Sequence, residues 1–147
     1  MNITIIGTGY VGLVSGTCFA ETGNQVTCVD INKPKVARMQ NGEVPIYEPG
    51  LTALFERNIR EGRLSFTTYM EEAVQSADII FLCLPTPPGA DGQADLTAVL
   101  NVAELLGGMI NRYTIIVNKS TVPVSTADRV SEKIRINANV DFDVVSN

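Results

Sequence analysis

The chain has no histidine, no tryptophan and no cluster of basic residues. The absence of histidine removes the commonest general base and the commonest metal ligand, so we predict no metal site. The formal net charge of −5 argues against a nucleic-acid partner, because binding to phosphate backbones depends on clustered Lys and Arg. The longest apolar run, Ile79–Leu84, is far shorter than the roughly 20 residues of a membrane span, so we expect no membrane partner.

Cysteine is scarce as well, with three residues that lie far apart and form no C-x-x-C pair: Cys18, Cys28 and Cys83. Each lies inside an apolar segment. We place Cys28 and Cys83 in buried strands and Cys18 on the inward face of a helix. This pattern is typical of reduced cysteines that only fill space, so we predict packing roles for them and a cytoplasmic location.

What the sequence does contain is an alternation of short apolar runs with segments of helical period. At 147 residues and 45% hydrophobic composition, one globular domain is expected. The alternation predicts parallel strands that are buried on both faces by crossover helices. The predicted strands are Asn2–Ile6, Gln25–Val29, Leu64–Thr67, Asp78–Leu84, Thr114–Asn118 and Phe142–Ser146.

Capping residues and apolar spacing predict six helices between these strands. The first turns one face inward, at Val11, Val14, Ser15 and Cys18, and ends at Gly23. The second begins near Asn32, and the third begins at Pro49. The remaining three are predicted at Met70–Gln75, at Leu96–Ile110 with Asp95 as N-cap, and at Ser125–Asn137. The polar loop Thr86–Asp95 is long enough to be functional.

A G-x-G-x-x-G pattern, residues 7–12, follows the first predicted strand and opens the first helix. In that context Gly7 permits the tight turn, Gly9 lets the backbone approach a pyrophosphate, and Gly12 lets the helix pack closely. The helix N-terminus then offers free N–H groups to the phosphates. A glycine-rich turn in another α/β fold stays open as the alternative.

Asp30 ends the second predicted strand, 18 residues after Gly12, where dinucleotide-binding folds place a carboxylate against the adenosine ribose. Because a carboxylate would repel a 2′-phosphate, we predict NAD rather than NADP as cofactor. Lys35 is a candidate ribose contact, whereas Lys33 is interpreted as part of a solvated helix start. Together these features predict a Rossmann-type doubly wound parallel sheet of about six strands, with helices on both faces.

Two further loops should lie at the same sheet edge. The loop after the fourth strand begins with Pro85 and Thr86, and the Thr86 hydroxyl either faces the cofactor or caps a turn. The loop after the fifth strand contains Ser120 and Thr121, where the nicotinamide end should reach. Thr121 either hydrogen-bonds substrate, water or cofactor there or starts the next helix. Lys119 is either an exposed loop lysine or a charge that faces the substrate, and the sequence favours the exposed loop lysine.

The segments ITIIGTGYVGL, CVDIN, IYEPGL, TPP and NKSTVPV, in this order, resemble the nucleotide-sugar dehydrogenases that oxidise UDP-glucose or GDP-mannose. The resemblance covers essentially the whole chain. It implies an NAD-binding domain at residues 1–147, with cofactor contacts at Gly7, Gly9, Tyr10, Val11, Gly12, Asp30, Lys35, Pro85, Thr86, Ser120 and Thr121. One departure is Ser125, where the family usually has glycine, which implies a slightly different backbone in that turn.

The resemblance further implies oxidation of UDP-glucose to UDP-glucuronate with two NAD molecules and a cysteine nucleophile, with Thr121 as a supporting catalytic residue. None of the three cysteines suits that role, so we expect an N-terminal part of a longer, homo-oligomeric enzyme that binds NAD without turnover. Two alternatives stay open: the corresponding part of a GDP-mannose or UDP-N-acetylhexosamine dehydrogenase, or a stand-alone NAD-binding module.

Overall fold

The computed structural model describes residues 1–89 and 92–147. Its centre is one sheet in which every described strand pair is parallel and whose order is β3-β2-β1-β4-β5-β6. The strands are β1 (Asn2–Ile6), β2 (Gln25–Val29), β3 (Leu64–Thr67), β4 (Ile79–Leu82), β5 (Thr114–Asn118) and β6 (Phe142–Ser146). Because β1 and β4 are neighbours although they are not consecutive, the connections diverge between them, and ligands of such folds bind at this point.

Helices join the strands and cover both faces of the sheet. They are α1 (Tyr10–Glu21), α2 (Lys33–Gln40), α3 (Leu51–Arg60), α4 (Met70–Ser76), α5 (Thr97–Met109) and α6 (Thr126–Arg135). The side chains of α1, α2 and α3 form one core with Ile3 and Ile5 of β1. The other three helices form a second core, which includes Ile80 and Ile116 from the central strands. Within the described residues, no helix is long and apolar enough to cross a membrane.

Five of the six strands have the predicted bounds, because each is a short apolar run flanked by turn residues. The predicted strand Asp78–Leu84 is too long, since β4 spans only Ile79–Leu82. Just before β4, the Asp78 carboxylate accepts the Asn2 N–H at 2.8 Å, which ties this side chain to the start of β1. The predicted parallel α/β fold is confirmed.

The helices are also close to their predicted positions, with three corrections at their starts. Pro49 does not begin α3, because Gly50 has a left-handed φ of 83° and the helix starts at Leu51. Asp95 is not the N-cap of α5, although its Oδ1 accepts the Thr97 N–H at 2.9 Å. Ser125 precedes α6 rather than belonging to it. Asn32 caps α2 as predicted, since its Oδ1 accepts the Lys35 N–H at 3.0 Å.

The predicted inward face of α1 is wrong. Val11 and Cys18 are exposed, and the helix instead buries Gly12, Leu13, Gly16, Thr17 and Ala20. Small residues mark this face because the helix lies very close to the sheet: a Cβ added at Gly16 would lie 2.9 Å from the Cys28 sulfur. Apolar periodicity does not count glycine as a contact residue, so the predicted face was rotated.

Two other expectations concern loops. The predicted functional loop Thr86–Asp95 falls partly on Ala90 and Asp91, which lie outside the described residues. The other is the turn before α6, where serine in place of the family's usual glycine implied a slightly different backbone. Ser125 has a φ of 72°, in the left-handed region that favours glycine.

Candidate functional site

The glycine loop, residues 7–12, joins β1 to α1 at the carboxyl edge of the sheet. Gly7 has a φ of 99°, and a Cβ added there would overlap the carbonyl oxygen of Cys83, just after β4. A Cβ added at Gly12 would overlap the carbonyl oxygen of Gly7. The fold itself therefore requires glycine at both positions, for the turn and for the close packing predicted from the sequence.

Gly9 differs from these two glycines. It has an ordinary φ of −66°, and a Cβ added there would have no neighbour within 4 Å. Nothing in the described chain therefore demands glycine at this position. Gly9 is also the N-cap of α1, where no side chain caps the helix and no acidic residue lies in the first turn. The first N–H groups of α1 are consequently left for an anion.

Asp30, Thr8 and Lys35 form a hydrogen-bonded cluster between the glycine loop and the end of β2. Asp30 Oδ2 accepts the Thr8 N–H at 3.2 Å, the Thr8 hydroxyl, and the Lys35 ammonium at 3.0 Å. Lys35 Nζ also donates to the Thr8 carbonyl at 2.6 Å. The Asp30 side chain is 15% exposed, so its carboxylate reaches the protein surface at the carboxyl edge of the sheet but is only partly solvated.

The cluster keeps Asp30 ionised. Burial raises the pKa of this carboxyl, but hydrogen bonds from the Thr8 hydroxyl, the Asn32 N–H and the Lys35 ammonium outweigh it, so the pKa lies below its ordinary value. An ionised carboxylate accepts hydrogen bonds and cannot donate them. Asp30 can therefore accept from a hydroxyl group, and it disfavours a second anion nearby.

The loops after β4 and β5 are tied to each other. The Thr86 hydroxyl donates to the Thr121 carbonyl at 2.9 Å, and the Ser120 hydroxyl donates to the Leu84 carbonyl at 2.8 Å. Both hydroxyl hydrogens are thus used within the protein. Pro85 and Thr121 are exposed. The two loops form one connected rim beside the glycine loop, which touches the residue after β4 through Gly7.

Two further side chains near this edge, those of Tyr10 and Lys119, also have partners. The Tyr10 hydroxyl donates to Glu48 Oε2, which ties the start of α1 to the IYEPGL segment. That hydrogen bond raises the pKa of the Tyr10 phenol, and desolvation adds to it. Lys119 Nζ donates to Asn147 Oδ1 at 2.7 Å and so joins the ends of β5 and β6. Lys119 is half-buried rather than the exposed loop lysine predicted from the sequence.

The whole chain, residues 1–147, matches the family model described as the UDP-glucose/GDP-mannose dehydrogenase family, NAD binding domain. The chain belongs to this family. Its cofactor is therefore NAD, and its fold is the Rossmann-like fold of the family's NAD-binding domains.

Individual relatives agree with this assignment. UDP-glucose 6-dehydrogenase TuaD of Bacillus subtilis is 50% identical over 147 residues, which cover 99% of this chain and 32% of the relative. UDP-glucose 6-dehydrogenase of Pseudomonas aeruginosa is 51% identical over 136 residues, 92% of this chain and 30% of the relative. A solved UDP-glucose dehydrogenase from Pyrobaculum islandicum superposes with a TM-score of 0.94 at 39% identity, covering 99% of this chain and 35% of that one. The chain thus spans about a third of the length of the curated relatives it matches.

The cysteines of this NAD-binding domain fall into two groups. Cys28 and Cys83 are buried as predicted, although Cys83 lies just after β4 rather than in a strand. Burial raises the pKa of both thiols, that of Cys83 to about 11. A thiol with so high a pKa is a poor nucleophile at neutral pH. Cys18 is exposed on α1, on the side away from the sheet. Among the described residues, no group of His, Cys, Asp and Glu side chains could hold a metal ion.

The sequence arguments missed two residues of this edge. Thr8 is buried and contacts both Asp30 and Lys35, and Glu48 is the partner of Tyr10. Thr8 stands between two glycines, and a hydroxyl residue at that position could have been noticed. Nothing local indicated Glu48, because its partner lies 38 positions away in the sequence.

Proposed function

We propose that residues 1–147 form one NAD-binding domain of an enzyme that oxidises UDP-glucose to UDP-glucuronate. The identities of 50% and 51% to curated UDP-glucose 6-dehydrogenases support UDP-glucose as the substrate over GDP-mannose or a UDP-N-acetylhexosamine. Bound NAD would supply the hydride acceptor of that oxidation. The homo-oligomeric state and cytoplasmic location expected from the sequence belong to the same proposal.

Different residues at the carboxyl edge of the sheet would bind different parts of NAD. The N–H groups of Tyr10, Val11 and Gly12 at the start of α1, with Gly7 and Gly9 shaping the loop, would hold the pyrophosphate. Asp30 would accept from the adenosine ribose, with Lys35 beside it. The rim formed by Pro85, Thr86, Ser120 and Thr121 would hold the nicotinamide half, and Thr121 would support catalysis there.

One observation carries the proposal: the space around Gly9. Gly7 and Gly12 are explained by contacts inside the chain, but a Cβ at Gly9 would meet nothing within 4 Å. A glycine that the fold does not require, at an uncapped helix N-terminus, is explained by a ligand whose phosphates approach the backbone closely. The ionised carboxylate of Asp30, at the end of the neighbouring strand β2, could accept a hydrogen bond from a ribose hydroxyl of such a ligand.

The three thiols support binding without turnover in this chain. Cys28 and Cys83 are buried with raised pKa values, and Cys18 lies on the outer side of α1. No described cysteine is thus placed as an activated nucleophile at the sheet edge. We expect the 147-residue chain, mixed with NAD and UDP-glucose, to form no NADH, as followed by absorbance. NADH formation by contaminant-free protein would contradict this part of the proposal.

The test of cofactor binding is a Gly9→Ala variant, titrated with NAD by calorimetry. The added methyl group meets no protein atom, and the poorer capping by alanine is offset by the lower flexibility that it gives the unfolded chain. The variant should therefore unfold near the wild-type temperature but bind NAD more than about tenfold more weakly. Gly108→Ala is the matched control, since Gly108 in α5 also has no neighbour within 4 Å. It should leave NAD affinity unchanged. Equal NAD affinity in the wild type and in Gly9→Ala would refute the proposed position of the pyrophosphate.

A further inference from the structure

Thr8 has a set of contacts that its place in the glycine loop does not require. It is 1% exposed, and its N–H and its hydroxyl both donate to Asp30 Oδ2. Its carbonyl accepts from the Lys35 ammonium at 2.6 Å. A single buried residue is thus bonded to both charged side chains at this end of the site.

These contacts use the two oxygens of Asp30 unequally. Oδ2 accepts from Thr8 twice and from Lys35, whereas Oδ1 accepts the Asn32 N–H at 3.0 Å. Three donors occupy Oδ2 fully, so the described chain leaves spare acceptor capacity at Oδ1. The orientation of the carboxylate, and hence the direction in which Oδ1 can accept, is fixed mainly by Thr8.

The same contacts restrain Lys35. Its ammonium lies 3.0 Å from Asp30 Oδ2 and 2.6 Å from the Thr8 carbonyl, and its side chain is 25% exposed. A cation held in this way is not turned outward toward a phosphate. If the carboxylate lost its anchor, the ammonium could follow it and become available to a second anion.

We propose that Thr8 is a positioning residue, which orients Asp30 and Lys35 so that the site accepts the ribose 2′-hydroxyl of NAD and rejects the 2′-phosphate of NADP. This inference rests on the proposed contact between Asp30 and the adenosine ribose. Thr8 does not touch the cofactor. Its hydroxyl acts only through the carboxylate that it holds.

The test is a Thr8→Val variant, which keeps the shape and the backbone groups of Thr8 but removes the hydroxyl. We expect NAD affinity to fall about fivefold, because the contact between Asp30 and the ribose is misoriented rather than removed, while NADP affinity stays constant or rises. Thr8→Ser should keep the wild-type ratio of NAD to NADP affinity. An NAD analogue without the adenosine 2′-hydroxyl should bind wild type and Thr8→Val equally well.

Asp30→Ala separates this inference from the proposed function. If Asp30→Ala binds NAD as tightly as wild type does, the ribose contact itself fails, and the role of Thr8 fails with it. If Asp30→Ala binds NAD weakly while Thr8→Val keeps the wild-type NAD to NADP ratio, only the role of Thr8 is refuted. In the Asp30→Ala background, adding Thr8→Val should change neither affinity, whereas a general loosening of the loop would still weaken both.

A structural readout does not depend on cofactor at all. Carboxyl carbon NMR should show a higher pKa for Asp30 in Thr8→Val than in wild type, because one stabilising hydrogen bond to the charged form is gone. If valine disturbs the loop, Thr8→Ala replaces it, because this substitution only removes atoms. The same fall in NAD affinity and the same rise in the Asp30 pKa are then expected. An unchanged Asp30 pKa in the folded variant would show that the hydroxyl does not hold the carboxylate.

Discussion

Ser125 offers a test of how the turn before α6 is built. Among the described residues it is the one non-glycine residue with a positive φ, at 72°, and its side chain makes no capping hydrogen bond. A Cβ in the left-handed region costs roughly 1–2 kcal/mol. Replacing Ser125 with glycine should remove that cost, and no hydrogen bond of the side chain would be lost in exchange.

The magnitude follows from two opposing contributions. The relief of roughly 1–2 kcal/mol is reduced by roughly 0.4–1 kcal/mol, because glycine makes the unfolded chain more flexible. Ser125→Gly should therefore raise the free energy of unfolding by about 0.5–1 kcal/mol. For a domain of this size that corresponds to a rise in Tm of about 2 °C.

Thermal and urea unfolding followed by circular dichroism would measure this. Ser131→Gly is the matched control, because Ser131 lies inside α6 with a helical backbone. The same substitution there should lower stability by roughly 0.5 kcal/mol from helix propensity, and it also removes the exposed contact of the Ser131 hydroxyl with Arg135 Nε at 3.4 Å. Ser125→Ala should leave stability nearly unchanged, since alanine has the same Cβ. If Ser125→Gly destabilises the chain as Ser131→Gly does, Ser125 carries no backbone strain and the reasoning is refuted.

Two further predictions concern thiols and acid stability. A thiol reagent at pH 8 should modify Cys18 in the folded chain, while Cys28 and Cys83 should react only after unfolding. Mass spectrometry would count the modified cysteines. Modification of all three in the folded protein would contradict the burial of Cys28 and Cys83. A hydrogen bond from Asn58, opposed by desolvation, lowers the pKa of Glu21. The stabilising contribution of the Glu21 carboxylate is therefore present above its pKa in the unfolded chain and is lost as the pH falls through its pKa in the folded chain. Glu21→Gln should make the free energy of unfolding fall less steeply between neutral and acid pH. An unchanged pH dependence would refute this link between Glu21 ionisation and stability.

The strands were predictable because a parallel strand buried on both faces is a short apolar run, a signal that depends on few neighbours. Asp30 and the glycines were predictable for a similar reason, since backbone geometry fixes their spacing. Contacts between distant segments were not. The bond from Tyr10 to Glu48 depends on how an irregular segment folds back over α1, and no periodicity describes that. The face of α1 was missed because Gly16 packs by having no side chain.

The net charge of −5 appears at first unsuited to a dinucleotide, whose pyrophosphate is itself anionic. The local arrangement resolves this. The first turn of α1 carries no acidic side chain, so the helix dipole acts there unopposed. Asp30 is paired with Lys35 at 3.0 Å, and the carboxylate of Glu48 accepts from Tyr10. Charges elsewhere on the surface are screened within about 10 Å at ordinary salt, so they contribute little to the field at the phosphates. If the pyrophosphate lies where we propose, backbone N–H groups at one helix end decide its binding, and the total charge of the chain does not argue against NAD.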